Sequence, residues 1–337
     1  MAGGGAMTVT SGRSQQQGAA LITVLMIVAI VVVLAVDMSA RLQLQIQRQH
    51  NLQQQQQAFW YAMGAEAFSK VLLKRSLQGE SSVHLGQDWA QQGASFMVED
   101  GQIAGEIRDL NNCFNLNALQ KQPDRNQGQQ QTMAQRAFLR LVEQVGGELS
   151  MPAENLLARL TDWLDEDSLL NSAGGAEQDD YAALQFPYYT ANSLMASETE
   201  LRLILDLTAA DYQLLLPYIC VLPENEQLQI NVNTLTEQTA VLLQALLPEL
   251  TEAQAQEAVL NRPEKGYADV DSFLQSSALA GISVPDEVKN ILQVQSAYFQ
   301  LRATTAYLES GFRLTTTFKR EENNAIRVLA RRFGGQG

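Results

Sequence analysis

From Ala19 to Val36 the chain holds no charge, and Thr23 is its one polar side chain. This run of about 18 residues makes roughly 27 Å of helix, just enough to cross a bilayer core. Asp37 ends the run, but no helix breaker follows. Up to Leu77 there is no proline and a single glycine, Gly64. Leu42, Ile46, Leu52, Phe59, Met63, Ala67 and Val71 recur at helical spacing and predict one apolar stripe. The pattern therefore predicts a continuous helix over 19–79, roughly 90 Å long. Its front half would sit in a membrane and its rear half would pack on a globular domain. The glutamine-rich stretch Gln43–Gln57 taken alone could be low-complexity disorder. The following Phe59-Trp60-Tyr61-Ala62 argues against that.

Further on, the period changes. Ser95–Val98 and Gln102–Ile107 alternate as strands do, within a segment 80–119. From 120 to 295 the pattern turns helical, with helices expected at Thr132–Val145, Pro152–Leu164, Glu198–Leu205, Thr236–Leu247, Thr251–Leu260 and Val270–Ser276. Strand patterns return at Tyr298–Tyr307, Phe312–Lys319 and Ile326–Phe333. Polar turns at Glu309-Ser310-Gly311 and Glu321–Asn324 make 296–333 a meander. Strands on both sides of a large helical block predict an α+β fold. A long helix and an antiparallel sheet form its frame, and 120–295 is inserted into it.

The chain has 337 residues, 46% of them hydrophobic, and a net charge of −14. A sizeable core can form. The acidic balance disfavours nucleic acid, which demands basic patches. The two cysteines, Cys113 and Cys220, are far apart in sequence. In an oxidising periplasm they pair and clip a long loop; the alternative is two buried free thiols.

A secretory signal would be cut after its apolar run, at small residues. Here Asp37-Met38-Ser39-Ala40 is a poor site, and the small-residue junction, Gln17-Gly18-Ala19-Ala20, lies before the run. This junction resembles a type IV prepilin site, cut after Gly18 by a peptidase on the cytoplasmic side. Residues 1–18 would be the leader, Ala19 the new N-terminus, and Ala19–Val36 a membrane segment kept on the mature chain. The alternative is an ordinary signal anchor. The leader holds only Arg13, so the charge rule for orientation says little. The acidic, cysteine-bearing remainder is expected outside the cytoplasm.

Other stretches extend the likeness: Asn51–Leu77, Asp109–Leu119 (Asp-Leu-Asn-Asn-Cys-Phe-Asn-Leu-Asn-Ala-Leu), Thr161–Asp167, Gly174–Asn192, Ser197–Ile204 and Ile230–Thr234. Together they span nearly the whole chain, which resembles the general secretion pathway protein K family, the large minor pseudopilins of type II secretion. The resemblance implies a pilin-like fold with an inserted α-helical domain, bound calcium, and a complex with the I and J minor pseudopilins at the tip of a periplasmic pseudopilus. It also implies contacts with other pseudopilins and the inner-membrane assembly platform. Processing by the prepilin peptidase, methylation and a single-pass inner-membrane location follow as well. Most pilin-like subunits carry a glutamate five residues after the cut, where this chain has Thr23. A carboxylate inside a bilayer needs a partner. In the family that partner is the neighbour's N-terminal ammonium. A tip subunit has no neighbour above it, so Thr23 fits a tip position. Alternatively it is a tolerated small residue bonded to its own helix backbone.

Between Arg159 and Arg202 there is no base, while Asp162, Asp165, Glu166, Asp167, Glu177, Asp179, Asp180, Glu198 and Glu200 crowd together around Gly174-Gly175. Calcium takes six to eight hard oxygens in flexible geometry. The best ligand candidates are Asp165, Asp167, Glu177, Asp179 and Asp180, with Asn192, Ser197 and Glu198 behind them. The spacing is not that of an EF-hand. A solvated acidic loop is the alternative.

Catalytic patterns are sparse. There are two histidines, His50 and His84, and neither stands beside a nucleophile in a known motif. Ile230–Thr234, two helices and Arg262-Pro263 resemble a helix-hairpin-helix module. Its hairpin, Leu247-Pro248-Glu249-Leu250-Thr251, carries a proline and a glutamate where phosphate would need donors. The expected protein is not an enzyme and binds no nucleic acid. The competing functions are a signal-anchored, calcium-stabilised periplasmic hydrolase and a minor pilin of a type IV pilus.

Overall fold

The computed structural model describes residues 3–5, 14–91, 93–123, 129–145, 147 and 149–334, and for 14–18 the backbone alone. Most of the expected leader, Arg13 included, lies outside these residues. Helix α1 runs from Ser14 to Ser76, 63 residues, or roughly 95 Å. It passes through the Gly18-Ala19 junction without a break. From Leu21 to Val36 its large apolar side chains stand exposed, as an unpartnered membrane segment would.

The rear of α1 lies on a five-stranded antiparallel sheet. The strands are β1 (Ala94–Val98) and β2 (Gly101–Asp109) before the insertion, and β7 (Tyr298–Tyr307), β8 (Ser310–Arg320) and β9 (Ile326–Phe333) after it, in the order β1-β2-β7-β8-β9. The α1 face turned to the sheet is not the expected stripe. Leu42, Ile46, Leu52 and Val71 are exposed, whereas Ala58, Ala62, Ala65, Glu66, Ser69 and Leu73 are buried. These residues also share one helical face. Their small side chains let the helix backbone approach the strands, so that Thr305 Oγ1 donates to the Ala58 carbonyl at 2.7 Å. Phe59 lies half-buried at the margin, edge-on to Phe312. Leu73, Leu77, Phe299, Leu301, Leu314 and Phe318 fill the space beneath α1.

One charged pair bolts α1 to the sheet. Glu66 accepts from Arg331 Nε at 2.6 Å and Nη2 at 2.8 Å, and from Thr316 Oγ1 at 2.9 Å. Burial pulls the Glu66 carboxyl upward, but the bonds from Arg331 and Thr316 prevail and hold it below its ordinary value. A depressed folded value gives stability that is present above pH 4.5 and is lost as pH falls through the folded value. Glu66→Gln is expected to lower stability at neutral pH by about 2 kcal/mol. This is a discounted figure for a buried pair, because Arg331 is 40% exposed and water screens it. The variant should also lose part of the acid sensitivity of melting, measured on the full chain in detergent.

The insertion opens earlier than 120. β2 ends at Asp109 and its partner strand β7 resumes opposite it at Phe299, while Phe114, Leu116 and Leu119 already pack in the helical core. That core is built on α2 (Met133–Val145), α3 (Ala153–Leu164), α4 (Gln178–Ala182), α5 (Ala209–Leu215), α6 (Val241–Leu246), α7 (Glu252–Leu260), α8 (Val270–Leu274) and α9 (Asp286–Lys289). Two short parallel ladders tie it together, β3 (Phe114–Asn115) with β4 (Ile219–Cys220) and β5 (Ile230–Asn231) with β6 (Leu292–Gln293). The helix expected at Glu198–Leu205 is a 3-10 turn at Glu198–Leu203, and that at Thr236–Leu247 is helical only over Val241–Leu246. In both, threonine or serine side chains hydrogen-bond the local backbone and favour turns at the start.

Candidate metal centre and the insertion junction

The acidic loop joins the end of α3 to α4. Asp162 sits in the last turn of α3 and is fully buried, Asp165 follows the helix, and Glu177 precedes α4. One carboxylate oxygen from each of these three lies within 4.8 Å of the others. The two glycines make this possible. Gly174 has φ +89°, and a Cβ there would come within 2.3 Å of Asn155 Oδ1. A Cβ on Gly175 would come within 2.0 Å of Asp162 Oδ2. The chain thus wraps directly over the Asp162 carboxylate, a fit that any side chain would fill.

Asp162 is itself satisfied, accepting from the backbone N–H of Asn171 and Ala176, each at 3.0 Å. Asp165 Oδ2 accepts from the Asn171 side chain. Among the described residues, Asp165 Oδ1 and both Glu177 carboxylate oxygens are buried with no hydrogen-bond partner. Buried acceptors without donors are costly. Burial, then the charges of Asp162, Asp165 and Asp167, push the Glu177 carboxyl up to about 7. The Asp162 and Asp165 carboxyls are likewise raised, chiefly by burial. Unpaired, mutually repelling oxygens of this hardness fit a hard divalent cation, and its charge would reverse each of these shifts.

Of the ligands expected from sequence, the structure brings Asp165 and Glu177 together and adds Asp162, which the ligand set left out. Asp167, Asp179 and Asp180 are outside this group of three. Asp167 Oδ1 accepts from Leu169 N at 2.8 Å, and Asp180 Oδ2 accepts from Glu177 N at 2.9 Å, capping α4. Asp179 is exposed on the first turn of α4. Asn192, at φ 44°, donates to the Asp167 carbonyl at 2.7 Å, and its own Oδ1 is buried without a partner. Ser197 and Glu198 are taken by Arg332 of β9, at 2.7 and 2.6 Å. A guanidinium remote in sequence already neutralises that glutamate.

Sequence reasoning gave no role to a second site, where the insertion joins the sheet. Asp109, at the end of β2, is 1% exposed. It accepts from Asn111 N at 2.8 Å, from Ser296 Oγ at 2.6 Å and from the Thr234 hydroxyl. Burial pushes its carboxyl up to about 6 against these donors. Asn231 donates to the Val83 carbonyl and to Ser296 Oγ, and Asn111 Oδ1 accepts from the N–H of Ala297 and Tyr298. The outgoing strand, the returning strand and the Ile230–Thr234 turn thus meet in one buried polar node. Beside it Cys113 and Cys220 form a disulfide, with Cα atoms 5.7 Å apart, packed against Leu110, Leu222 and Tyr298.

The remaining candidates have local partners. Thr23 Oγ1 donates to the Ala20 carbonyl at 2.9 Å, within its own helix. His84 Nδ1 accepts from Gly86 N at 3.2 Å, and His50 is exposed on α1. Arg262 donates to the Leu235 carbonyl at 2.9 Å, so this part of the hairpin module binds its own backbone.

Two family models match the chain, both described as type II secretion system (T2SS), protein K, one over residues 112–224 and one over 230–295. Together they cover the insertion. The chain is 38% identical over 327 residues to type II secretion system protein K of Aeromonas hydrophila, covering 95% of this chain and 98% of that one. It is 42% identical over 269 residues to the Klebsiella pneumoniae protein of the same name, covering 79% and 81%. Among solved structures, a chain in the crystal structure of the GspK-GspI-GspJ complex from the enterotoxigenic Escherichia coli type 2 secretion system matches with a TM-score of 0.76. It is 32% identical, and the match covers 86% of this chain and 100% of that one.

Proposed function

The chain belongs to the type II secretion system protein K family, and on that premise we propose that it is the minor pseudopilin at the tip of a periplasmic pseudopilus. There it assembles with the I and J minor pseudopilins and promotes pseudopilus growth for the export of folded proteins. The observation that carries this reading is the likeness, over a whole solved chain, to a structure of GspK with GspI and GspJ. In this reading Ala19–Val36 anchors the chain in the inner membrane, with the sheet and the insertion in the periplasm. The rear of α1 stays bolted to the sheet through Glu66 and Arg331. Thr23 places no carboxylate in the bilayer, and its hydroxyl is satisfied within the helix. The role is structural, with no catalytic step of its own.

Calcium is the proposed structural ion, held by Asp162, Asp165 and Glu177, with Asn192 as a further oxygen donor. It would supply the charge that the unpartnered oxygens of the loop lack.

The proposed processing has a direct test. The intact mass of the chain from membranes should correspond to a start at Ala19 when the prepilin peptidase is present, and to the uncut chain when it is absent. A Met1 start in both strains, or a cut beyond Val36, would overturn it.

A further inference from the structure

The same loop carries a feature that the cation does not explain. Leu169 is 74% exposed, Phe186 79% and Tyr189 69%, and Leu170 is exposed with them. Clusters of exposed large apolar side chains mark interaction sites more often than isolated ones do. Their two segments are neighbours, because Asn192 donates to the Asp167 carbonyl at 2.7 Å and lies 3.4 Å from Ser168 Oγ. The support beneath them is firm. Tyr188 donates to the Leu203 carbonyl at 2.7 Å and packs on Tyr181, which packs on Trp163. Glu166, Asp167, Asp179 and Asp180 are exposed on the same loop, which holds no base from 160 to 201.

We propose that Leu169, Leu170, Phe186 and Tyr189 dock into one protein partner of fixed structure, an apolar pocket rimmed by lysine and arginine. The proposal rests on the tip reading. In that reading no further subunit stands above this one, which leaves the exposed loop open to a partner beyond the filament. The acidic surround sets the sign of the partner's rim and disfavours an anionic lipid surface. A loop tied down by hydrogen bonds at Asp162, Tyr188 and Asn192 and by the Trp163-Tyr181-Tyr188 rings presents one shape. It suits an invariant component of the export machinery rather than exported proteins of varied structure, which call for flexible, methionine-rich surfaces.

The test uses the full chain, restored to cells lacking their own copy, as wild type, as L169S/F186S and as E166K. The readouts are co-purification with the I and J pseudopilins, melting, and export of two unrelated proteins. Both variants are expected to keep the complex and the melting temperature, and to lower export of both proteins roughly tenfold, as loss of a binding hot spot does. Undiminished export, loss of one exported protein only, or loss of the complex would each overturn the proposal. A photo-crosslinker at position 186 that captures lipid rather than protein would overturn it as well. If the wild-type chain itself fails to restore export, the tip function is what fails.

Discussion

Reducing the disulfide, or replacing Cys113 and Cys220 by serine, is expected to destabilise the inserted domain by about 5 kcal/mol. The two residues are 107 apart in sequence, so the bond closes a long loop and removes much of the unfolded chain's freedom. It closes at the root of the insertion. Asn115 pairs with Cys220 across β3 and β4, and both cysteines are buried in a small apolar cluster with Leu110, Leu222 and Tyr298. The loss should therefore fall on the part of the insertion between β3 and β4, which the bond closes. Denaturant unfolding with and without reductant measures it. The serine variant without reductant should match the reduced wild type, and an unchanged midpoint in both would contradict the prediction.

The second large effect is expected on removal of the proposed calcium ion. A cation at about a hundred times its dissociation constant stabilises the fold by about 2.7 kcal/mol. Chelation should lower the melting temperature of the wild type correspondingly. Glu177→Gln and Asp165→Asn should each abolish most of that calcium dependence. In chelator the Glu177→Gln variant should be more stable than the wild type, because it removes one of the mutually repelling buried carboxylates. This crossing separates a metal site from a purely solvated acidic loop. In that case neither chelator nor substitution would change melting.

The long helix and the terminal meander were legible because each keeps one period over many residues. In β7, Leu301, Ala303 and Thr305 alternate cleanly with exposed Arg302 and Thr304. The burial of α1 was misread because size stood in for packing. Ala58, Ala62 and Ser69 are buried against the sheet since helix and strands must come close there, and large Leu42 and Ile46 stand exposed. Within the acidic loop, the clustered charges and paired glycines marked where carboxylates converge but not which three do so. Asp162 sits among apolar helix residues and shares a face with Asp165 three residues on, a spacing that could have brought it in. Asp180 was lost to a helix cap and Glu198 to Arg332, a partner 134 residues away. Composition cannot foresee such a competitor. Likewise Asp109–Leu119 and Ile230–Thr234 were marked in sequence only as parts of a resemblance. Their shared purpose appears only when both strands of the junction meet around Asp109.

The most direct test of the tip assignment is to isolate this chain, processed and co-expressed with its I and J pseudopilins, and to weigh the product. The account predicts one complex holding the three subunits in equal amounts, together with loss of export when the gene for this chain is deleted. A chain that remains alone in the presence of both partners, with export intact in its absence, would contradict it.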